Sequence, residues 1–550
     1  MEAQEKNKNQ SCAVCRQTYS ISERDSNFYQ KIGVPSPTLC PTCRMIRRLS
    51  YRNDRSLYQT TCALTGKKMI SMYNPDNGFT VYEYRVWWSD DWDPYHFGRN
   101  YDSSRSFFEQ FRELQRAVPR FNLFNRDSEN CDYVNYAPHC KDCYLLFGSW
   151  FNDNCYFGQS LNECKDCVDN LFLDHGELCY ENIDCRRNYN SCFVQNSSNL
   201  VDCSFCYDCH QLNNCIGCYN LRQKEYHIDN KPVSKSEFER LREYFGSYRY
   251  LTEYAEQFHE KRKRNAIHKY ATILNCEQVT GDFIFESRNA LHCFSTYRSQ
   301  DVAHSTRCFD QKDSYDFEGG GKGELVYEGM SNDFAYNSVG SMTCENLVNA
   351  HYCDLCFNCE NCFGCVGLRN AKFCILNKQY PEADYHRIVK QITAVMTKQG
   401  EWGEFFPTEA SLFAYNETLA QEYFPLDADV ARSRGYRWKN EIRQSVPSAV
   451  SLPDRVGDMD DTVVGKTLVC NRCSKNYRLI LAELQFYRKF SIPIPRSCPD
   501  CRHFARMAAR NPRRLWARSC ASCETRIESS FSPDGVEQIY CEACYQKLII

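Results

Sequence analysis

The sequence predicts a mainly β protein: two tandem cysteine-rich β-solenoid units with capping helices, flanked by duplicated zinc-ribbon modules. Two repeats support this prediction, because four cysteines near one end recur near the other, and cysteines between them recur every 12 residues. The chain has 550 residues and 37 cysteines, and a chain of this length can bury several cores without disulfides. The predicted boundaries are an N-terminal zinc-ribbon module at 1–95, a helical linker or cap at 96–125, solenoid unit 1 at 126–232, capping helices at 233–270, solenoid unit 2 at 271–380, a helix, strap and linker at 381–465, and a C-terminal double zinc-ribbon module at 466–550.

The opening segment MEAQEKNKNQ lacks the basic and apolar regions of a signal peptide, and no window holds 18 consecutive apolar residues. We therefore expect a cytoplasmic protein without membrane association. In that compartment cysteines are reduced, so they serve as metal ligands or buried thiols more often than as disulfides.

The end modules carry paired CxxC motifs, and the two modules are related by an offset of 458 residues. A CxxC motif supplies two thiolates from one tight turn, and two such motifs complete a tetrahedral zinc site. Every ligand is a cysteine, which is typical of structural zinc, and no catalytic residue is predicted. The predicted metal ligands are Cys12, Cys15, Cys40, Cys43, Cys470, Cys473, Cys498, Cys501, Cys520, Cys523, Cys541 and Cys544.

The second site of the front module has lost its ligands. Only Cys62 remains, because Thr65, Glu83 and Val86 stand where the rear module has cysteines. We therefore predict three zinc ions, one in front and two behind. The front second ribbon is expected to be held by aromatic side chains instead, namely Tyr73, Tyr82, Trp87, Trp88 and Trp92.

The net charge of −3 hides an uneven distribution. Residues 1–61 carry a net +5 and residues 466–550 a net +8, so the middle is strongly acidic. A helix from about 499 to 510, stopped by Asn511-Pro512, would align arginines spaced four residues apart on one face. Such a stripe can bind phosphate groups of nucleic acid, or else form a solvated face or pair with the acidic middle. The candidate polyanion-binding residues are Arg44, Arg48, Arg52, Arg502, Arg506 and Arg510.

The two inner units repeat each other at an offset of 147 residues, as in Cys215-IG-Cys218 and Cys362-FG-Cys365. In the first unit a cysteine recurs every 12 residues from Cys131 to Cys179, and it usually follows Asn, Asp or another turn-tolerant residue. A short fixed period of this kind favours a solenoid with coils of 12 or 24 residues. The glycine run at 319–321 is expected to be a loop or an irregular coil.

Some cysteines come every third residue, as from Cys353 to Cys365. Small thiols that point into a solenoid core explain this spacing, and an additional soft-metal site or an iron–sulfur cluster are the alternatives. The iron–sulfur cluster is the least favoured of these, since the last two cysteines are separated by two residues where a bacterial ferredoxin motif has three, and no proline follows. Helices are predicted at 103–117, after the capping box of Ser234 and Glu237, and around Tyr385, with an ordered strap and a linker from about 440.

The CxxC, Phe-Tyr, Pro, CPxCR pattern at both ends resembles treble-clef-like zinc ribbons. With WWSDDWDPYHFGRNYD, FAYNETLAQEYFP and RNPRRLWARSC, the chain also resembles an uncharacterised family of cysteine-rich zinc-ribbon proteins of candidate-phyla bacteria. Proteins of that family are sometimes labelled CaiB/BaiF coenzyme A transferases, but the alternating β/α pattern and nucleotide fingerprint of such an enzyme are missing. The resemblance implies zinc modules and no established activity.

The function predicted from the sequence is a non-catalytic zinc-binding scaffold or adaptor that binds nucleic acid (RNA or DNA) or a protein partner through its basic ends. The alternatives are an enzyme that acts on a polymer or carbohydrate along the solenoid face, or a metal- or thiol-storage protein. The sequence lacks GxSxG, GxxxxGK[ST] and HExxH, so an enzyme is less favoured.

Overall fold

A computed structural model describes residues 8–440, 446–448 and 450–549. Strands and helices occur in similar amounts, with strand in slight excess, so the chain is less dominated by β-structure than predicted. The linker predicted from about 440 falls partly on 441–445 and 449, which lie outside the described residues. Within the described part, the structure has no helix that is both long and apolar enough to cross a bilayer.

Helices are found in both end regions and around the inner units. The helix predicted after the capping box of Ser234 and Glu237 begins as expected, because that capping box forms. The helix predicted at 103–117 starts later, at Phe107, with Ser106 as its N-cap, and ends at Ala117 as predicted. The α-helices are α1 Glu23–Lys31, α2 Pro41–Leu49, α3 Tyr84–Trp87, α4 Phe107–Ala117, α5 Lys235–Tyr244, α6 Tyr248–Asn265, α7 Glu382–Gln399, α8 Leu419–Tyr423, α9 Ala428–Ser433, α10 Leu481–Phe490, α11 Pro499–Ala508 and α12 Glu542–Ile549. Short 3₁₀ turns cover Pro75–Asn77, Pro94–Phe97, Thr408–Ala410, Tyr415–Glu417, Val456–Asp458 and Asp461–Val463.

The front module (8–95) contains two antiparallel hairpins, each next to a CxxC turn or its remnant. Its strands, with one that follows the module, are β1 Lys8–Ser11, β2 Thr18–Ile21, β3 Tyr58–Thr61, β4 Lys68–Ser71, β5 Val81–Tyr82 and β6 Arg120–Phe121. The second hairpin packs into a hydrophobic cluster in which Tyr73 and Trp87 are buried and Tyr82, Trp88 and Trp92 are partly buried. The five aromatic side chains expected to hold this part of the front module therefore pack together around the hairpin.

The first inner unit forms a parallel ladder between residues 129 and 228, called here the first ladder. Each parallel pair joins residues 12 apart, as in Asp132 with Tyr144 and Leu171 with Ile183. The pairing therefore follows the shorter of the two predicted periods. Its strands are β7 Gln159–Asn162, β8 Leu171–Asp174, β9 Ile183–Arg186, β10 Asn213–Ile216, β11 Glu225–Ile228 and β12 Lys231–Pro232, followed by β13 His268–Lys269 outside the ladder.

The second inner unit forms the second ladder, between residues 273 and 375, with the same 12-residue pairing from Gly281 onward. The glycine run at 319–321 lies inside strand Thr306–Asp333, so the prediction of a loop there was wrong. Its strands are β14 Ile273–Leu274, β15 Gly281–Phe285, β16 Arg288–Leu291, β17 Cys293–Tyr297, β18 Gln300–Ala303, β19 Thr306–Asp333, β20 Ala335–Val339, β21 Met342–His351, β22 Phe357–Phe363, β23 Lys372–Ile375 and β24 Lys378–Gln379.

A left-handed residue at nearly every third position turns the chain in both ladders. Asn130, Asp142 and Asn154 have φ values of 51°, 51° and 53°, a conformation that Asn and Asp tolerate better than most residues. The next residue points into the core, so each 12-residue turn contributes four side chains to the interior. Four side chains share a narrow space, which favours small residues such as cysteine.

The ladder cysteines are core residues. Cys155, Cys167 and Cys179 are fully buried in one cluster of the first ladder. In the second ladder the Cys359 thiol donates to the carbonyl oxygens of Phe357 at 3.4 Å and Leu368 at 3.5 Å. The run from Cys353 to Cys365 lies in one hydrophobic cluster. This burial in an apolar cluster agrees with the preferred explanation of the three-residue spacing, a core of small thiols.

The rear module (466–549) repeats the two hairpins of the front module. Its strands are β25 Leu468–Val469, β26 Asn476–Tyr477, β27 Trp516–Ser519, β28 Arg526–Ser529 and β29 Ile539–Tyr540. The two modules and two ladders pack in a crossed order. The arginine-bearing helix of the front module packs on the second ladder, whereas that of the rear module packs on the first ladder. Each module also contacts the other ladder, since Asn135 donates to the Asn53 carbonyl and Arg513 donates to Glu318.

Candidate metal centres and arginine clamps

The structure brings the twelve predicted metal ligands together in three groups of four thiols. Within each group the sulfur atoms lie within 4.8 Å of one another. One pair in each group is 3.7 Å apart: Cys15 with Cys40, Cys473 with Cys498, and Cys523 with Cys541. Sulfurs bound to zinc at about 2.3 Å in a tetrahedron are separated by roughly 3.8 Å, so the thiols present fit a tetrahedral ion.

Each CPxC turn is also the start of a helix. Cys40 and Cys498 occupy the N-cap positions of α2 and α11, and Pro41 and Pro499 follow at the first helical position. Proline is favoured there because its missing N–H would have no helical partner. The CPxC turn therefore fixes where each helix begins and which way its arginines face.

In each four-thiol group at least one thiol has a lowered pKa and favours the thiolate, whereas burial raises the pKa of neighbouring thiols such as Cys15 and Cys498. Burial raises the pKa of Cys470, but the backbone N–H groups of Cys498 and Cys473 outweigh it and lower the pKa to about 6. Cys520 has the same balance, and its pKa is also about 6. The Cys43 side chain lowers the pKa of Cys40 to about 5, against the opposing effect of burial. Thiolates are the form that binds metal.

The lost site of the front module keeps its turn. Cys62 is buried, and its backbone N–H donates to the Lys67 carbonyl, just as the Cys520 N–H donates to the Thr525 carbonyl in the rear module. The Glu83 N–H donates to the Cys62 sulfur at 3.4 Å. The equivalent Cys541 N–H donates to the Cys520 sulfur at 3.4 Å in the rear module, so the front module keeps this hydrogen bond although its three other thiols are missing.

The arginine stripes lie inside the protein. Arg44, Arg48 and Arg52 are 1%, 1% and 2% exposed, and Arg502 and Arg506 are 6% and 2% exposed. Only 7% of the Arg510 side chain is exposed. The expectation of a surface stripe that reads phosphate groups was therefore wrong at these six residues. Five of them pair with carboxylates of the acidic middle, the alternative expected from the charge distribution, and Arg52 pairs with Asp54 of its own module.

In the front module, the stripe binds two carboxylates of the second ladder. Arg44 Nε donates to Asp316 Oδ2 at 2.9 Å. Arg48 Nη1 donates to Asp316 Oδ1 at 3.1 Å and to Glu328 Oε2 at 2.8 Å. Asp316 and Glu328 are separated by one pairing period, so they stand on successive turns of the ladder and both meet the same helix face.

In the rear module, the stripe binds two carboxylates of the first ladder. Arg506 Nη1 donates to Asp169 Oδ1 at 2.9 Å and to Glu181 Oε1 at 2.8 Å. Arg502 forms an ion pair with Asp169 at 2.9 Å. Burial raises the pKa of Glu181 to about 7, although Arg506 opposes this increase.

The two clamps share their central contacts, although Arg47 adds an ion pair with Glu328 in front and Arg502 adds one with Glu483 behind. Asp169 and Glu181 lie 147 residues before Asp316 and Glu328, which is the offset between the ladders. The equivalence extends to the backbone, because Arg506 donates to the Phe157 carbonyl and Arg48 to the His304 carbonyl. We call these two contact sets the arginine clamps.

Further contacts follow the same two offsets. Arg510 Nε donates to Asp184 at 2.7 Å, and the equivalent Arg52 donates to Ser331 at 2.7 Å. The ring centroids of Tyr29 and Tyr327 are 5.5 Å apart, edge to face. The equivalent rings, Tyr487 and Tyr180, are 5.9 Å apart. The helix before each CPxC turn therefore adds an aromatic contact to each clamp.

Sequence reasoning missed the ladder carboxylates. Their signal was present, because an acidic pair spaced by the 12-residue period occurs in both units at the 147-residue offset. Acidic pairs on a ladder could also have been a catalytic dyad, but both pairs here are bound by arginines, and only Glu181, with 19% of its side chain exposed, is not fully buried.

A cleft of about 1610 Å³ lies between the two ladders and the rear module. The first ladder contributes Trp150 and Asp174 to its walls, and the second ladder contributes Tyr297, Phe309 and Asp333. Acidic, basic and aromatic side chains are mixed along it.

Comparison of the chain with protein-family models, with curated proteins and with solved structures finds no match.

Proposed function

We propose that the protein is a non-catalytic scaffold in which two β-solenoid units are held together by zinc-ribbon modules. The observation that carries the proposal is the crossed equivalence of the arginine clamps. A module at each end of the chain binds the ladder that lies farther along the chain from it, through the same residues at the same repeat positions. If the role of each module is to hold a ladder in place, two independent copies of the same clamp are expected, one for each ladder.

Zinc is the proposed ion in all three groups of thiols. Four cysteine ligands with about 3.7 Å between neighbouring sulfurs match a closed tetrahedral site. Iron also binds four thiolates tetrahedrally, so metal analysis has to separate the two. A bound ion would fix the first turn of α2 and of α11, and these helices carry the arginines of the clamps.

We also propose that the scaffold binds nucleic acid or a protein partner, through residues other than the six arginines of the stripes. The rear module has other basic residues at its surface, including Arg472, Arg478 and Arg526. Retention of the protein on immobilised RNA that decreases steeply between about 50 and 200 mM salt would support a contact with phosphates. Triple substitution of these residues by Gln should then abolish the retention without lowering the melting temperature.

Metal analysis combined with hydrogen exchange tests the scaffold role. We expect three zinc ions per chain and no iron. Removal of zinc by a chelator should increase hydrogen exchange in ladder peptides around 169–181 and 316–328, because the clamps lose their anchors.

Two variants sharpen the test. Cys498→Ser should lower the zinc content by one and loosen the first ladder, whereas Cys62→Ser should leave the content unchanged. If chelation removes the metal but leaves exchange in both ladders unchanged, the modules do not brace the ladders and the proposal fails.

A further inference from the structure

A stack of aromatic rings lines one wall of the cleft. Phe285, Tyr297 and Phe309 occupy the same position on three successive turns of the second ladder and line the cleft. Their ring centroids are 4.9 Å and 5.0 Å apart, and the planes differ by 11° and 7°. Each turn of the ladder thus adds one ring to the stack.

The stack ends at Gly321, the next position at the same spacing. Two neighbouring glycines have a structural reason to be glycine. Gly319 has φ of +63° and lies against Arg52, and a Cβ on Gly320 would lie 2.4 Å from the Asn332 carbonyl oxygen. Gly321 has neither constraint, because its φ is outside the left-handed region and a Cβ there would meet only Asp333 Oδ1, at 3.5 Å. The missing side chain leaves space beyond the face of Phe309.

The surroundings of this space are polar on one side. Asp333 is the following position of the same row, and its Oδ1 accepts the Gly321 N–H. Burial raises the pKa of Asp333, but the Gly321 N–H opposes that increase. Gly320, Gly321, Asp333 and Phe309 all line the cleft, as does Trp150 of the first ladder. A flat ring at this place would meet an aromatic face and a carboxylate at its edge.

We propose that the space beyond Phe309 is a binding slot for a planar nitrogen heterocycle, specifically a guanine base. Stacking on Phe309 would continue the aromatic row, and such base stacking is sequence-tolerant and favourable. The Asp333 carboxylate selects guanine, since this base presents two adjacent N–H donors, at N1 and N2, to an acceptor pair. Such a slot would exist whether or not the proposed scaffold function is correct.

Isothermal titration of the full-length protein with guanosine tests the slot. We expect saturable binding of guanosine and at least tenfold weaker binding of 1-methylguanosine, which lacks the N1–H donor. Gly321→Phe should fill the slot and weaken guanosine binding by at least tenfold, as should Asp333→Ala. Gly457→Phe is the matched control, because Gly457 is exposed with open space around it, and its binding should equal that of the wild type.

Thermal melting of Gly321→Phe separates loss of the slot from loss of the fold. An unchanged or higher melting temperature is expected, since the added ring extends an existing stack. The slot is refuted if wild-type protein shows no saturable guanosine binding up to the solubility limit. Wild-type affinity in Gly321→Phe refutes it equally.

Discussion

Arg506→Met is the substitution that tests the clamps most directly. It removes a guanidinium that is 2% exposed and contacts Asp169 and Glu181, but it keeps most of the side-chain volume. Asp169 retains its ion pair with Arg502, whereas Glu181 forms no second ion pair with an arginine among the described residues. Removal of one partner from a buried ion pair typically destabilises a protein by about 3–5 kcal/mol.

The lower end of that range is expected here. The pKa of Glu181 is about 7, so this carboxyl group can take up a proton when Arg506 is lost. We therefore expect the free energy of opening of the first ladder to fall by about 3 kcal/mol. Arg48→Met should have a smaller effect on the second ladder, because Asp316 keeps Arg44 and Glu328 keeps Arg47.

Hydrogen exchange followed by mass spectrometry measures both effects in one experiment. Arg506→Met should speed exchange in peptides around 169–181 and leave those around 316–328 unchanged, and Arg48→Met should do the reverse. The double variant Arg506→Met/Glu181→Gln should recover part of the loss, since no ionisable group is then left unpaired. An effect of Arg506→Met below about 1 kcal/mol, or a loosening of the second ladder, would refute the crossed clamps.

Three further predictions concern other parts of the chain. Cys544→Ser should lower the zinc content from three to two per chain in elemental analysis, and an unchanged content would contradict a metal site there. Cys356→Leu should overfill the narrow core of the second ladder and lower the free energy of unfolding by about 1–3 kcal/mol in urea titrations, against a near-neutral effect of Val348→Leu on the exposed face. Burial lowers the pKa of His351 to about 4, so between pH 6.5 and 4 the unfolded chain takes up a proton at this residue that the folded chain does not. Stability should therefore fall as pH drops from 6.5, by about 1.4 kcal/mol per pH unit for this group, and His351→Gln should reduce that slope in urea titrations at about pH 7.5 and 5.5.

The four-thiol groups were predictable because their signal is local. A CxxC turn brings two sulfurs together wherever it occurs, and the only long-range information needed was which turns pair. The short separation of the two motifs in each module made that choice simple. The period of the ladder pairing was also predictable, since Asn and Asp before many of the cysteines mark the left-handed corners that turn the chain.

The environment of the arginines was not predictable from local pattern. The spacing of Arg502 and Arg506 correctly indicated one face of a helix, but α11 ends at Ala508, before Arg510. A helix face also has no intrinsic direction toward solvent. The burial of Arg506 depends on Asp169 and Glu181, two carboxylates of the first ladder that are remote from it along the chain. The glycine run was misread for a similar reason, because Gly320 is required by the close approach of the next turn of the ladder.

The crossed order of modules and ladders has a consequence for synthesis on the ribosome. The front module is made first, but its partner Asp316 lies 272 residues after Arg44, a delay of about 14–54 s at 5–20 residues per second. The equivalent acceptor of the first ladder, Asp169 and Glu181, emerges earlier. The nascent chain therefore offers the front module a binding surface that belongs to the rear module, and correct assembly requires this early complex to be avoided or dissolved before the last residues are made.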